Sequence, residues 1–157
     1  DRFLLHVWVD YPDREEELAI LGLDTERQQH DLAAPERMIT QDEIFAAREE
    51  VAKVFIDPKL TGYVADLVLA SRNPAPYDKD LQRWSRFGAS PRASNALARC
   101  ARARAWLEGA SYVAPHHIQS VAADVLRHRI LLTFEAEADG ITTNNFVEHL
   151  MKVVAIP

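Results

Sequence analysis

The feature that most limits the fold is a lone strand. Residues 3–9 (FLLHVWV) are a short β-branched and aromatic run, stopped by Asp10, Tyr11 and Pro12. Length and flanks mark it as a buried strand. No comparable run follows for more than a hundred residues. A strand cannot satisfy its own backbone groups, so its sheet partners are expected upstream of Asp1. The chain also starts without a Met or a signal-peptide pattern, as a piece of a longer protein would. The expected class is mainly α, a helical bundle behind one orphan N-terminal strand.

Helix signals carry the rest. Asp13 and Glu16 have capping-box spacing, and their helix is expected to reach about Leu21, with Gly22 as its stop. Residues 23–39 are polar with weak periodicity and read as a loop. Thr40 and Glu43 form a second capping box, ahead of Ile44, Ala47, Val51, Val54 and Phe55 at three-to-four spacing. Pro58 opens a helix with Leu60, Val64, Leu67 and Val68 on one face, ended by the Asn-Pro-Ala-Pro run at 73–76. Residues 77–89 are looser and hold Trp84 and Phe87.

Ser90 and Pro91 start the longest helix. Ala93, Leu97, Cys100, Ala101 and Leu107 are expected inward, the arginines outward, and Gly109 ends it. Pro115 starts another helix carrying Ile118, Val121, Val125 and Leu126 to about Arg129. Residues 130–138 (ILLTFEAEA) are ambiguous, alternating enough for a short C-terminal strand. Asp139 and Gly140 then turn the chain into a last helix, from Thr142 or Thr143 through Val147, Leu150 and Met151.

The 157 residues are 48% apolar and 27% charged, which argues for one ordinary globular domain and against wholesale disorder. No apolar run approaches about 18 residues, so no membrane span is expected. A single cysteine, Cys100, leaves no disulfide framework and no Cys-based zinc site, and points to a cytoplasmic protein. Net charge is −6, unevenly spread: residues 1–50 carry −9, residues 51–107 carry +6 and the remainder −3. Between Asp80 and Glu108 stand six arginines (83, 86, 92, 99, 102 and 104) and no acid. A local cationic surface on an acidic chain suits a discrete anion such as a phosphate group. The acidic remainder would repel a long polyanion.

Most motifs of enzyme chemistry are missing: GxxxxGK[ST], GxGxxG, GxSxG and HExxH do not occur. His116 and His117 are the one adjacent histidine pair. Helix neighbours point about 100° apart and rarely chelate one metal, so both are expected to be exposed helix-start residues and no metal site is expected. His128, between Arg127 and Arg129, suits packing or capping at a helix end better than anion contact. Arg2 precedes the strand, and Arg92 sits on the first turn of the long helix. A helix N-terminus beside a guanidinium makes a suitable anion site.

Three stretches carry a family resemblance. DRFLLHVWVDYPDREEELAIL, GASPRASNALARCARARAWLEGASYVAPHHIQSVAADVLRHRILL and FEAEADGITTNNFVEHLMKVVAIP resemble the C-terminal part of the MoxR family of AAA+ ATPases. They look like the end of its nucleotide-binding core, its lid with the sensor 2 stretch, and its C-terminus. GASPRA and DVLRHR at this spacing make the match specific. The chain departs from the family pattern at His116 and His117, where an acidic pair is common. It departs again at Gly109, Ala110 and Ser111, where Gly-Arg is common before Tyr-Val.

The resemblance implies that residues 1–12 are the last core strand with the arginine-finger segment, and that 13–157 are the lid. It gives Arg2 the role of arginine finger acting in trans and Arg92 that of sensor 2, with Ala89 and Ser90 beside the nucleotide phosphates. Whether Arg92 serves its own subunit's nucleotide or a neighbour's stays open. ATP and Mg²⁺ are the implied cofactors, bound mainly by a core upstream of Asp1, so this chain alone is expected not to hydrolyse ATP. The implied partners are further copies in a homo-oligomeric ring, hexameric in expectation, a von Willebrand factor A-domain protein and a client protein. The client is matured or activated, metal-cofactor insertion included, and no nucleic acid is involved. The competing reading is an autonomous helical interaction module that binds nucleic acid or protein through the arginine-rich helix 91–108.

Overall fold

The computed structural model describes residues 2–29 and 37–157. Its elements run α1 (Arg14–Gln29), α2 (Gln41–Lys53), α3 (Pro58–Arg72), α4 (Lys79–Trp84), β1 (Ser85–Phe87), α5 (Pro91–Leu107), α6 (Pro115–Leu126), β2 (Leu131–Leu132), α7 (Phe134–Ala138) and α8 (Thr143–Val153). The fold is a helical bundle with a two-stranded antiparallel ribbon, β1 on β2.

Helix α5 is the centre of the bundle. Ala93, Ala96, Ala101 and Ala105 make its buried face small, so α3 and α6 pack close on either side of it. Interaxial distance follows the side chains at the contact. Tyr63, Leu67 and Val68 of α3 and Ile118, Val125 and Leu126 of α6 fill the space around it, and Phe146, Val147 and Leu150 of α8 close the core against α3 and α6. Leu107, expected inward, is exposed. It follows the buried Ala105 by two residues, about 200° around the helix, which turns it to the solvent side.

Local capping sets most helix starts. Asp13 Oδ1 accepts from the Glu16 N–H at 2.9 Å while Glu16 Oε2 accepts from the Asp13 N–H at 3.0 Å. Thr40 and Glu43 do the same for α2, and Thr142 and Asn145 for α8. Asp57 caps α3 behind Pro58. Gly109 takes φ +74°, and the Ala110 N–H returns to the Ala105 carbonyl at 2.9 Å, closing α5 as a left-handed C-terminal glycine does.

Several expectations are corrected. Residues 3–9 form no strand among the described residues: a ladder needs a paired edge and none is offered there, so the segment lies outside any sheet, bends at Leu4 and leaves its side chains exposed. Gly22 does not stop α1, because it does not take the positive φ that a terminating glycine uses. Residues 23–29 therefore continue that helix; of the expected loop 23–39, residues 30–36 lie outside the described residues. Helix α2 stops at Lys53, so Val54 and Phe55 leave the helical face. Phe55 instead bridges to Tyr112, with the Val113 N–H on its carbonyl at 2.8 Å. The α6 helix ends at Leu126, short of Arg129. The ambiguous 130–138 splits at Thr133: Leu131 and Leu132 pair with β1, and the Thr133 hydroxyl caps α7.

Candidate functional site

The start of α5 is held in place from behind. Ser71, buried at the end of α3, donates its hydroxyl to the Val68 carbonyl at 2.7 Å and accepts the Ala89 N–H at 3.0 Å. Arg72 Nε donates to the Ala89 carbonyl at 2.5 Å, and the Ser85 hydroxyl donates to the Ser71 carbonyl at 3.2 Å. Gly88 lies so close to the Ser71 carbonyl that no Cβ fits there. These contacts fix the backbone two residues before Pro91, and hence the first turn of α5 that bears Arg92.

A second segment comes to the same place. The His6 N–H donates to the Asp124 carbonyl at 2.8 Å. Arg129 donates through a terminal guanidinium nitrogen to the Phe3 carbonyl at 2.5 Å, and His128 Nε2 lies 3.3 Å from that same oxygen. Residues 3–6 are thus laid across the end of α6, next to the first two turns of α5.

Between them lies a cleft of about 460 Å³, in the size range of small-ligand sites, lined by Arg2, Arg92, Arg99 and Arg129 with Asn95 between them. Arg92 and Arg99 are seven residues apart on α5, which is about 10 Å along its axis. Among the described residues, no carboxylate lines the cleft. Burial lowers the pKa of Arg129, the nearby Cys100 counteracts this, and the like charge of Arg92 lowers it further. Burial likewise holds His128 below its usual range, partly offset by the Phe3 carbonyl. Four arginines lining one cleft can receive an anion with several oxygens.

The structure brings together Arg2 and Arg92, far apart in sequence. It does not bring Ala89 and Ser90 into the cleft wall. Ala89 is fully buried, with its N–H and carbonyl both committed to α3, so it acts as a footing for the helix. Ser90 is exposed and its hydroxyl makes no cap bond. Arg99 and Arg129 were not singled out from sequence. Arg99 could have been found from its two-turn spacing to Arg92, whereas only tertiary folding places Arg129.

The histidine pair is divided by the fold. His116 is exposed, but His117 is 2% exposed, which corrects the expectation of two surface residues. Glu108, His116 and His117 each bring a potential ligand atom within 4.8 Å of the others. Protonation argues against a metal there. His117 Nδ1 accepts the Ala114 N–H at 2.9 Å, which leaves the proton on Nε2, 2.9 Å from Glu108. Glu108 is also paired with Arg104 at 2.6 Å, a cation already in the place of one. The trio is a clasp between the end of α5 and the start of α6.

The α5 arginines do not make one nucleic-acid face. Arg92 and Arg99 line the cleft, Arg102 donates to the Val54 carbonyl at 3.1 Å, and Arg104 is held by Glu108. The interaction-module reading therefore loses the continuous cationic stripe on which it depended.

Comparison with known proteins agrees with the fold. Residues 81–150, which include α5, α6 and most of α8, match the AAA lid domain. The chaperone MoxR1 of Mycobacterium tuberculosis is 35% identical over 158 residues, covering 100% of this chain and 41% of that protein. The MoxR protein of Paracoccus denitrificans is 37% identical over 145 residues, covering 85% of this chain and 42% of its own length. A crystal structure of a candidate ATPase from Cytophaga hutchinsonii superposes with a TM-score of 0.87 at 34% identity, over 99% of this chain and 47% of that one. The chain thus spans less than half the length of these relatives. With its AAA lid match and a likeness to MoxR proteins along 85–100% of its own length, the chain corresponds to the C-terminal portion of the MoxR-type AAA+ ATPases.

Proposed function

We propose that this chain is the lid portion of a MoxR-type ATPase motor, and that the arginine-lined cleft receives the phosphate end of Mg-ATP. The observation that carries this reading is that Arg2, Arg92, Arg99 and Arg129 line one cleft. Phosphoryl transfer concentrates negative charge on the γ-phosphate oxygens, and planar guanidinium groups can meet two oxygens each. Arg2 acts as arginine finger and Arg92 as sensor 2. Since the two line one cleft, they address the same nucleotide. A finger that reaches a neighbouring subunit therefore takes sensor 2 with it.

In this reading ATP and Mg²⁺ are bound mainly by a core joined to residues 1–12, whose exposed apolar side chains, Phe3 and Trp8 among them, would then be covered. Residues 13–157 are the lid. The whole protein assembles as a ring, hexameric by family analogy, acts in the cytoplasm and spends ATP on maturing or activating a client. Metal-cofactor insertion and a von Willebrand factor A-domain partner belong to that family picture. No helix among the described residues is long and apolar enough to cross a membrane.

The deciding experiment is hydrolysis by a protein that carries this chain together with its upstream core. Arg2→Ala and Arg92→Ala should each lower turnover by about tenfold or more, and this chain alone with Mg-ATP should release no phosphate above buffer. Unchanged turnover in both variants, or hydrolysis by the isolated chain, would sink the assignment.

A further inference from the structure

We infer that Arg129 is a positioning residue that ties the segment bearing Arg2 to the end of α6, so that Arg2 travels with the lid. Its functional consequence rests on the nucleotide-phosphate reading above. The latch itself stands on geometry alone.

Burial holds residues 3–6 only in part: Leu4 and Leu5 are 46% and 39% exposed, Phe3 is 79% exposed, and the segment joins no strand ladder among the described residues. The His6 ring meets that of His128 edge-on, and polar contacts with residues 124–129 do the rest. The last carbonyls of any helix lack intrahelical partners, and here they are used in a particular way. The Asp124 carbonyl takes the His6 N–H at 2.8 Å. The Val125 carbonyl takes Arg129 Nε at 2.8 Å, which fixes the plane of the guanidinium. That orientation sends a terminal nitrogen to the Phe3 carbonyl at 2.5 Å, with the Leu4 carbonyl at 3.4 Å. His128 adds a contact to Phe3 at 3.3 Å.

A planar fork is what this geometry needs. Nε serves the helix end while a terminal nitrogen serves the segment, and lysine has one nitrogen to offer. Phe3 adjoins Arg2, so the latch closes one residue from the side chain that it orients. Arg129 also lines the cleft. It therefore touches both the segment that carries Arg2 and the space that Arg2 enters.

Two measurements on the same variants test this. In hydrogen exchange on the chain, Arg129→Ala should speed exchange of the His6 amide by about tenfold and leave the core amides of α5 unchanged. If His6 already exchanges as a free peptide, or exchange is unaltered by Arg129→Ala, the latch is refuted. Where Arg129→Ala loses the helical core, Arg129→Lys takes its place and should also release His6.

The second measurement is a double-mutant cycle with inorganic tripolyphosphate as ligand. Arg2→Ala should weaken binding several-fold in the unsubstituted chain and less than about twofold in an Arg129→Lys background, where the charge of the cleft is kept. Equal weakening in both backgrounds overturns the positioning role. If tripolyphosphate does not bind the unsubstituted chain at all, the nucleotide-phosphate reading fails, and the exchange measurement still decides the latch.

Discussion

Gly88 packs directly against the carbonyl oxygen of Ser71, so closely that a methyl group on Gly88 would occupy the same space. The obstacle is backbone at the end of α3, which cannot rotate away as a side chain could. Gly88→Ala should therefore destabilise the chain by about 1–3 kcal/mol and displace the start of α5. Thermal unfolding gives the first, and loss of tripolyphosphate affinity the second. Gly62, in the middle of α3 with open space around it, is the control. Gly62→Ala should raise stability slightly, by about 0.5–1 kcal/mol.

The four arginines of the cleft should be separable from the other α5 arginines by anion binding. Arg92→Ala should weaken tripolyphosphate binding by about tenfold, the scale of losing a charge-assisted hydrogen bond. Arg104→Ala should leave affinity within about twofold, because Arg104 is engaged with Glu108 outside the cleft. Isothermal titration at fixed ionic strength reads both. Equal losses would mean that diffuse positive charge attracts the anion, without a built site.

His117 should prove structural and His116 dispensable. His117→Ala removes a buried ring that satisfies the Ala114 N–H and touches Glu108, at a cost of about 1–3 kcal/mol. His116→Ala, on an exposed side chain, should change stability by less than about 0.5 kcal/mol. Because the His117 tautomer places its proton toward Glu108, added Zn²⁺ should leave the melting temperature unchanged. A zinc-dependent rise lost in both variants would show that the trio binds metal after all.

Stability should decline on the acid side. The side-chain bond from Arg104 is the first cause that lowers the Glu108 pKa from its usual 4.5, with His116 and His117 adding to it against some desolvation. Thr40 lowers Glu43 from 4.5 through its backbone and then its hydroxyl, and the Leu81 N–H leads in lowering Asp78 from 3.8. A carboxyl whose folded pKa is depressed contributes stability that is complete above its unfolded pKa. That stability is lost as pH falls through the folded value. Urea midpoints should therefore be level above about pH 5 and fall below about pH 4.5. Glu108→Gln should flatten part of that slope.

Much of the architecture is legible residue by residue, because the signals are local. Asp13, Thr40, Asp57 and Thr142 mark helix starts through bonds that reach two or three residues onward. Gly109 marks a stop through its own φ. The apolar face of α3 follows from spacing alone, and Leu60, Val64, Leu67 and Val68 are all buried. Where sequence reading failed, the missing information was distant, except at Gly22, which nothing distant touches. Gly22 looks like a stop but continues a helix. Residues 3–9 have strand composition but no edge to pair with among the described residues. His117 looks like a surface residue until α5 and α6 close around it.

Sequence by itself determined the class of fold and the order of the six longer helices, though not α4 or α7, and it singled out Arg2 and Arg92 through family resemblance. Only the tertiary structure decided that these two line one cleft, that Arg99 and Arg129 join them, and that Ala89 serves as footing. The physical reason is range. Capping and periodicity act within a turn or two of chain, whereas the cleft depends on residues 3–6 meeting the end of α6 more than a hundred residues later.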